Sequence, residues 1–152
     1  MTPGKARKRV ILDRLDYVEE MLSAIKSLPL DSYDAFTGES RNIWAAESCL
    51  RRALEALLDV GRHLLAKCFA KGVSDYKAIA TGLGQVNVLS EDEAKLMESL
   101  AGYRNRMVHF YHEITAEGLY RICRHELSDI IRVRKAYASW IKDNPDKIDE
   151  LL

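Results

Sequence analysis

Apolar residues along this chain recur every three or four positions and almost nowhere every two. Ile11, Leu15, Val18, Leu22 and Ile25 step by four and three without a gap, which predicts a first helix ending near Pro29. The stretch "LPLDSYDAFTGES" breaks the rhythm and reads as a loop with room for one short helical turn. A longer stripe then runs through Ile43, Ala46, Leu50, Ala53, Leu54, Leu57, Gly61, Leu64, Leu65 and Cys68. At about 100° per residue these positions fall within about 120° of one another. The opposite face of that second helix carries Arg51, Arg52, Glu55, Asp59, Arg62 and His63.

The stretch "DYKAIATGLGQVNVLS" predicts a short helix broken at Gly82 and Gly84. Ser90, with Glu93 three residues on, forms a capping box that starts a new helix at Glu91. Leu96, Met97, Leu100 and Met107 lie on it. A last helix starts after Thr115 as its N-cap, with a stripe of Leu119, Ile122, Cys123, Ile130, Val133, Tyr137, Trp140 and Ile141. "DNPDK" ends it and leaves a short acidic tail. Internal repeats, low-complexity segments and alternating strands are not seen. The pattern predicts an all-α, antiparallel bundle of four main helices plus a short one, built as a single domain over residues 1–152.

Charge narrows the function classes. The chain holds 23 basic and 23 acidic side chains, a net charge of zero, so bulk attraction to nucleic acid or an anionic membrane is not supported and any such contact needs a local basic site. The N-terminal "GKARKRV" reads as a short solvated basic arm. Cys49, Cys68 and Cys123 fall within apolar helical patterns without metal-ligand spacing, which predicts buried thiols, no metal and no cofactor. An apolar signal core and a membrane-length apolar run are both missing, so the expected location is cytoplasmic.

The exception to this ordinary pattern is "YRNRMVHFYHEI", residues 103–114. With Arg104 at the zero of a helical wheel, Met97 lies at about 20°, Val108 at about 40°, Leu100 at about 320° and Tyr111 at about 340°. Arg104 thus sits in the middle of the apolar stripe, where its permanent charge must pair with a carboxylate, snorkel outward or line a wet cleft. Glu98, Asn105, His109 and His112 form a polar edge beside it, between about 80° and 140°. Five residues separate Arg104 from His109, placing them about 140° apart on a straight helix. Arginine's length, a bend near Val108 or a second copy of the chain is needed to bring both onto one substrate.

Such a set suits acid/base work on a phosphodiester. Histidine exchanges a proton near neutral pH. Arginine offers a bidentate fork for phosphate oxygens, and asparagine can orient either group or an RNA 2′-hydroxyl. Because no carboxylate cluster for a metal is visible, metal-independent cleavage by 2′-hydroxyl attack is the natural hypothesis. Spacing alone, however, favours an interhelical ion pair or hydrogen-bond network over catalysis. Asp59 and His63, four residues apart on the second helix, read as a solvated face rather than part of a site.

"RNRMVHFY" resembles the Arg-x4-His-x-Tyr signature of HepT-like proteins in the HEPN superfamily. The resemblance extends through "ILDRLDYVEEMLSAI", "AAESCLRRALEALLDVGRHLLAK" and "LYRICRHELSDI", most of the chain, and no signature position departs from the pattern. It implies a bundle that forms a homodimer with the motifs lining a shared cleft. It further implies the toxin of a type VII toxin–antitoxin pair, an RNase that works without metal on an RNA substrate. The partner would be an MntA-type nucleotidyltransferase antitoxin that adds AMP to the motif tyrosine. Carried over by position, Arg104 and His109 would be catalytic, Asn105 would assist, and Tyr111 would be the modified residue. Two other readings stay open. One is a non-catalytic subunit presenting a nucleotide or other substrate to a nucleotidyltransferase. The other makes the motif merely a dimer seam, favoured if Arg104 is paired with a carboxylate and closed off from solvent.

Overall fold

A computed structural model describes residues 2–109 and 114–151. Helix α1 spans Lys8–Lys26, α2 Tyr33–Thr37, α3 Ser40–Phe69, α4 Tyr76–Gln85, α5 Glu91–His109, α6 Ala116–Arg121 and α7 Leu127–Asp143. The fold is all-α, as the periodicity predicts. None of the described helices is long and apolar enough to cross a membrane.

The core is organised around α3. Beyond the predicted stripe, Ala56, Leu58 and Val60 are also buried, so its middle is enclosed nearly all round. α1 lies along it through the predicted Ile11, Leu15, Val18, Leu22 and Ile25, all buried. α7 contributes Ile130, Val133 and Tyr137 to the same core. Gly61 is where α3, α4 and α7 come closest. A Cβ there would fall 2.7 Å from Leu83 Cδ1, 2.8 Å from the Tyr137 hydroxyl and 2.9 Å from Ile79 Cγ2.

Local chemistry sets the ends, at Ser90 and Thr115 as expected and at two further caps. Ser32 and Asp75 cap α2 and α4 by accepting from Ala35 and Ala78 amides. The capping box forms in both directions, Ser90 N–H to Glu93 Oε1 at 2.9 Å and Glu93 N–H to Ser90 Oγ at 3.1 Å. Thr115 Oγ1 accepts from Gly118 N–H and starts α6.

Four expectations need correction. α4 is not broken at Gly82 and Gly84 but runs through both to Gln85. They serve close packing: a Cβ on Gly84 would lie 2.9 Å from Ala94 Cβ, and one on Gly82 3.1 Å from Leu65 Cδ1. The last helix is not uniform, because Ile122–Glu126 winds as a π turn between α6 and α7. A strand pair, unforeseen because it is only two residues long, joins the termini: β1 (Ala6–Arg7) runs parallel to β2 (Ile148–Asp149).

The basic arm is therefore pinned rather than solvated. Ala6 is fully buried, Gly4 N–H donates to Lys67 O at 2.7 Å, and Lys8 pairs with Glu150 at 3.1 Å. Arg7 N–H donates to His63 Nε2 at 3.0 Å, which requires a neutral imidazole. Burial first, then Lys67, Arg7 and Arg14, hold His63 below its ordinary pKa. A depressed folded pKa means stability that is present above about pH 6.5 and lost as pH falls through the folded value. We therefore expect acidification below pH 6.5 to loosen the arm, read as a falling protection factor of the Arg7 amide, the observed exchange rate being divided by its intrinsic rate at each pH. His63→Ala should abolish that pH dependence.

Candidate functional site

Arg104 projects from α5 toward α3 and α4, and its side chain is only 17% exposed. Its guanidinium carbon lies 4.5 Å from the centre of the Tyr76 ring, a cation–π distance. Arg104 Nη2 stands 3.9 Å from Glu55 Oε2, while Arg51 Nη1 donates to the other oxygen, Oε1, at 2.8 Å. Of the alternatives open to a charge on an apolar stripe, pairing with a carboxylate is the one adopted. The pairing is loose, since 3.9 Å exceeds hydrogen-bond length. Arg104 Nη1 makes a long bond to Asn105 Oδ1 at 3.5 Å, and its buried Nε has no hydrogen-bond partner among the described residues.

The α3 face opposite the main stripe supplies this surrounding, and in a solvated reading of that face it was missed. Arg62 stacks over the Tyr76 ring at 5.3 Å and pairs with Asp59 at 3.5 Å. Burial lifts the Asp59 carboxyl above its ordinary pKa, against the opposing pull of Arg62, Arg14 and Arg104. Beside it a shallow crease is lined by Arg14, Tyr17, Arg52, Glu55 and Asp59. With Arg51, Arg62 and Arg104 added to the crease, five arginines face Glu55 and Asp59 among the described residues, so a chain of zero net charge carries a locally basic, tyrosine-lined face. The signal was present as Glu55, Asp59 and Arg62 at helical spacing. Asp59 and His63 do not act as a pair: His63 turns to the N-terminal arm and Asp59 to Arg62.

Asn105 lines a groove of about 740 Å³ with Glu98, Lys77 and Lys95 on the far side of α5 from that face, yet reaches Arg104 through its carbonyl oxygen. The backbone of His109 is the last residue of α5, and helical hydrogen bonding continues through Val108 to it. The helix thus has no break at Val108. Tyr111 and His112 lie outside the described residues. Among the described residues, no three His, Cys, Asp or Glu side chains gather as metal ligands would.

A family model, Ribonuclease HepT-like, matches residues 15–137. The chain belongs to the ribonuclease HepT-like family. Among characterised proteins it is similar to the tRNA nuclease HepT of Aphanizomenon flos-aquae, 27% identical over 106 residues, 69% of this chain and 71% of that one. Its fold matches a tri-AMPylated Shewanella oneidensis HEPN toxin in complex with an MNT antitoxin, with TM-score 0.77 and 18% identity over 86% of this chain and 97% of the other. It also matches YutE of Bacillus subtilis, a cytosolic protein of unknown function, with TM-score 0.73 and 20% identity over 88% and 90% of the two chains. The matched span contains the Arg104 pocket of this family member, the α3 carboxylates and the whole of α5.

Glu55 is one of the contacts that hold the guanidinium, with the Tyr76 ring and Asn105. Its half-buried contacts to two arginines fall between an exposed pair, worth at most about 1 kcal/mol, and a fully buried one, whose disruption costs about 3–5 kcal/mol. Glu55→Gln should therefore lower stability by roughly 1–3 kcal/mol in urea denaturation. Combined with Arg104→Ala it should cost less than the sum of the two single changes, the coupling expected of a shared contact.

Proposed function

We propose that this HepT-like chain is a metal-independent endoribonuclease and the toxin of a toxin–antitoxin pair, with Arg104 and His109 as its catalytic residues. The observation that carries the reading is Arg104: a largely buried guanidinium whose one hydrogen bond among the described residues is long, 3.5 Å to Asn105, and whose carboxylate neighbour Glu55 stands at 3.9 Å, beyond hydrogen-bond length. A phosphate is the natural occupant of such a fork. His109 would move the proton, from the 2′-hydroxyl or to the leaving oxygen. Asn105, already touching Arg104 through its carbonyl oxygen, would orient the arginine or the 2′-hydroxyl. The basic, tyrosine-lined face of α3 and α4 supports approach of an RNA strand, by charge and by stacking. The nuclease relative and the toxin–antitoxin fold match point the same way.

The dimer-seam reading draws on two observations, the Glu55 carboxylate near Arg104 and the burial of the arginine side chain, 17% exposed. The carboxylate's distance restrains the arginine without saturating it, and activity separates the two readings. Arg104→Ala and His109→Ala should each relieve growth inhibition with the helical content retained. Arg104→Lys should also fail, because an ammonium lacks the planar fork. Toxicity unchanged in all three variants would remove the site assignment.

The partner in this reading is an MntA-type nucleotidyltransferase, which would transfer AMP to Tyr111. A helical continuation would put Tyr111 within about 20° of Arg104, and the added phosphate would then occupy the fork that substrate needs. Incubation with the cognate nucleotidyltransferase and ATP should add one or more AMP masses to a peptide containing Tyr111, and none to that of Tyr111→Phe. An unmodified tyrosine alongside an active transferase would count against this regulation.

A further inference from the structure

A second cavity opens on the other side of α5, where α2, α5, α6 and the π turn converge. It encloses about 770 Å³, within the range of roughly 300–1,000 Å³ usual for small-molecule sites. Tyr33, Tyr103, Arg106, Tyr120, Arg121 and His125 line it. Among the described residues Glu117 is the carboxylate in its wall, against two arginines.

The rings are held in place. The Tyr120 hydroxyl donates to Leu30 O at 2.8 Å, and its ring meets that of Tyr33 edge-on, with centroids 5.6 Å apart at 87°. Tyr33 itself is 41% exposed. The Tyr103 hydroxyl donates to Glu126 Oε1 at 3.3 Å, and the Arg106 guanidinium sits 5.1 Å over its ring. The Glu126 Oε2 atom is buried and has Arg121 Nε 3.9 Å away, while the Arg121 side chain stays 68% exposed. Glu126 therefore ties a ring from α5 to a guanidinium from α6. It stands at the end of the π turn, an irregularity that recurs at functional sites.

Anchored aromatic rings beside two guanidiniums match a base and its phosphate. Rings accept the flat face of any base, and each arginine presents a fork to phosphate oxygens. We propose that this cavity is a nucleotide-binding site, seating a base against Tyr33 and Tyr103 and its phosphate on Arg106 and Arg121. The nucleotide has two possible sources, a unit of an RNA strand or a free mononucleotide. The RNA source rests on the ribonuclease reading above, and Arg106 stands one helical turn before His109, where a residue flanking the cleaved bond would be held.

Calorimetric titration of the full-length His109→Ala chain, which leaves RNA intact in that reading, tests the site. AMP, adenosine, inorganic phosphate and a short single-stranded RNA are the probes. AMP should bind more tightly than adenosine or phosphate alone. Tyr33→Ala and Arg121→Ala, both at exposed positions, should each weaken it roughly tenfold, as loss of one stacked or ionic contact would. If RNA binds more tightly than AMP and both variants weaken it, the source is the strand. If only AMP responds to the variants, the source is the free nucleotide. If neither AMP nor RNA binds, or if the binding of both is indifferent to both variants, the proposal is overturned. Cleavage of RNA by the unmutated chain is scored separately. Cleavage without a variant-sensitive nucleotide site removes the cavity proposal alone, and such a site without cleavage removes the ribonuclease reading alone.

Discussion

The middle of α3 leaves almost no side for solvent, and the other helices take their places by what they cover there. One side is the predicted apolar stripe, closed by α1 and α7. Ala56, Leu58 and Val60 widen that stripe, and the remaining side carries a line of half-covered charges, Glu55, Asp59 and Arg62. Half-covered charges on a buried helix must find partners or be desolvated at a cost of several kcal/mol. Arg51, Arg104 and the Tyr76 ring are the partners found, which draws α4 and α5 onto α3 through polar as well as apolar contacts. Helix packing and the geometry of the candidate site thus have one origin.

This explains how Arg104 can occupy an apolar stripe. Its neighbours Met97 and Leu100 are buried as the wheel requires, and the guanidinium passes beyond them to the carboxylate and the ring. An aromatic face and a carboxylate at 3.9 Å stabilise the charge while satisfying few of its donors. The arginine is held in position by weak contacts on several sides, a state suited to exchanging one anion for another. A bidentate, fully buried pair would have oriented it more firmly and left nothing for a phosphate.

Most of the fold was legible because the hydrophobic period is clean. The α1 stripe, the α3 stripe, the Ser90 capping box and the Thr115 cap all stand where periodicity and cap chemistry place them. What escaped depends on contacts between segments distant in the chain. Gly82 and Gly84 look like breakers locally, yet the approach of Leu65 and Ala94 makes them packing residues inside a continuous helix. Ala6 and Ile148 pair across nearly the whole sequence, over too few residues to show any alternation. Of the candidate site, Arg104 and Asn105 were legible from the motif. Glu55 and Tyr76 were not, because nothing local marks a helix face as covered by a neighbouring helix.

The separation of Arg104 from His109 bears on how the site is completed. Three ways of bringing them onto one phosphate were available: a bend at Val108, the reach of the arginine, or a second copy of the chain. Helical hydrogen bonding through Val108 to His109 leaves no break there. The reach of Arg104 is directed at Glu55 and Tyr76, on α3 and α4, so turning it toward His109 would give up the contacts that hold it. A second copy demands neither change. In the proposed ribonuclease each chain would keep its arginine where α3 places it and draw the histidine from its mate, and that economy is the reason for proposing a two-fold cleft.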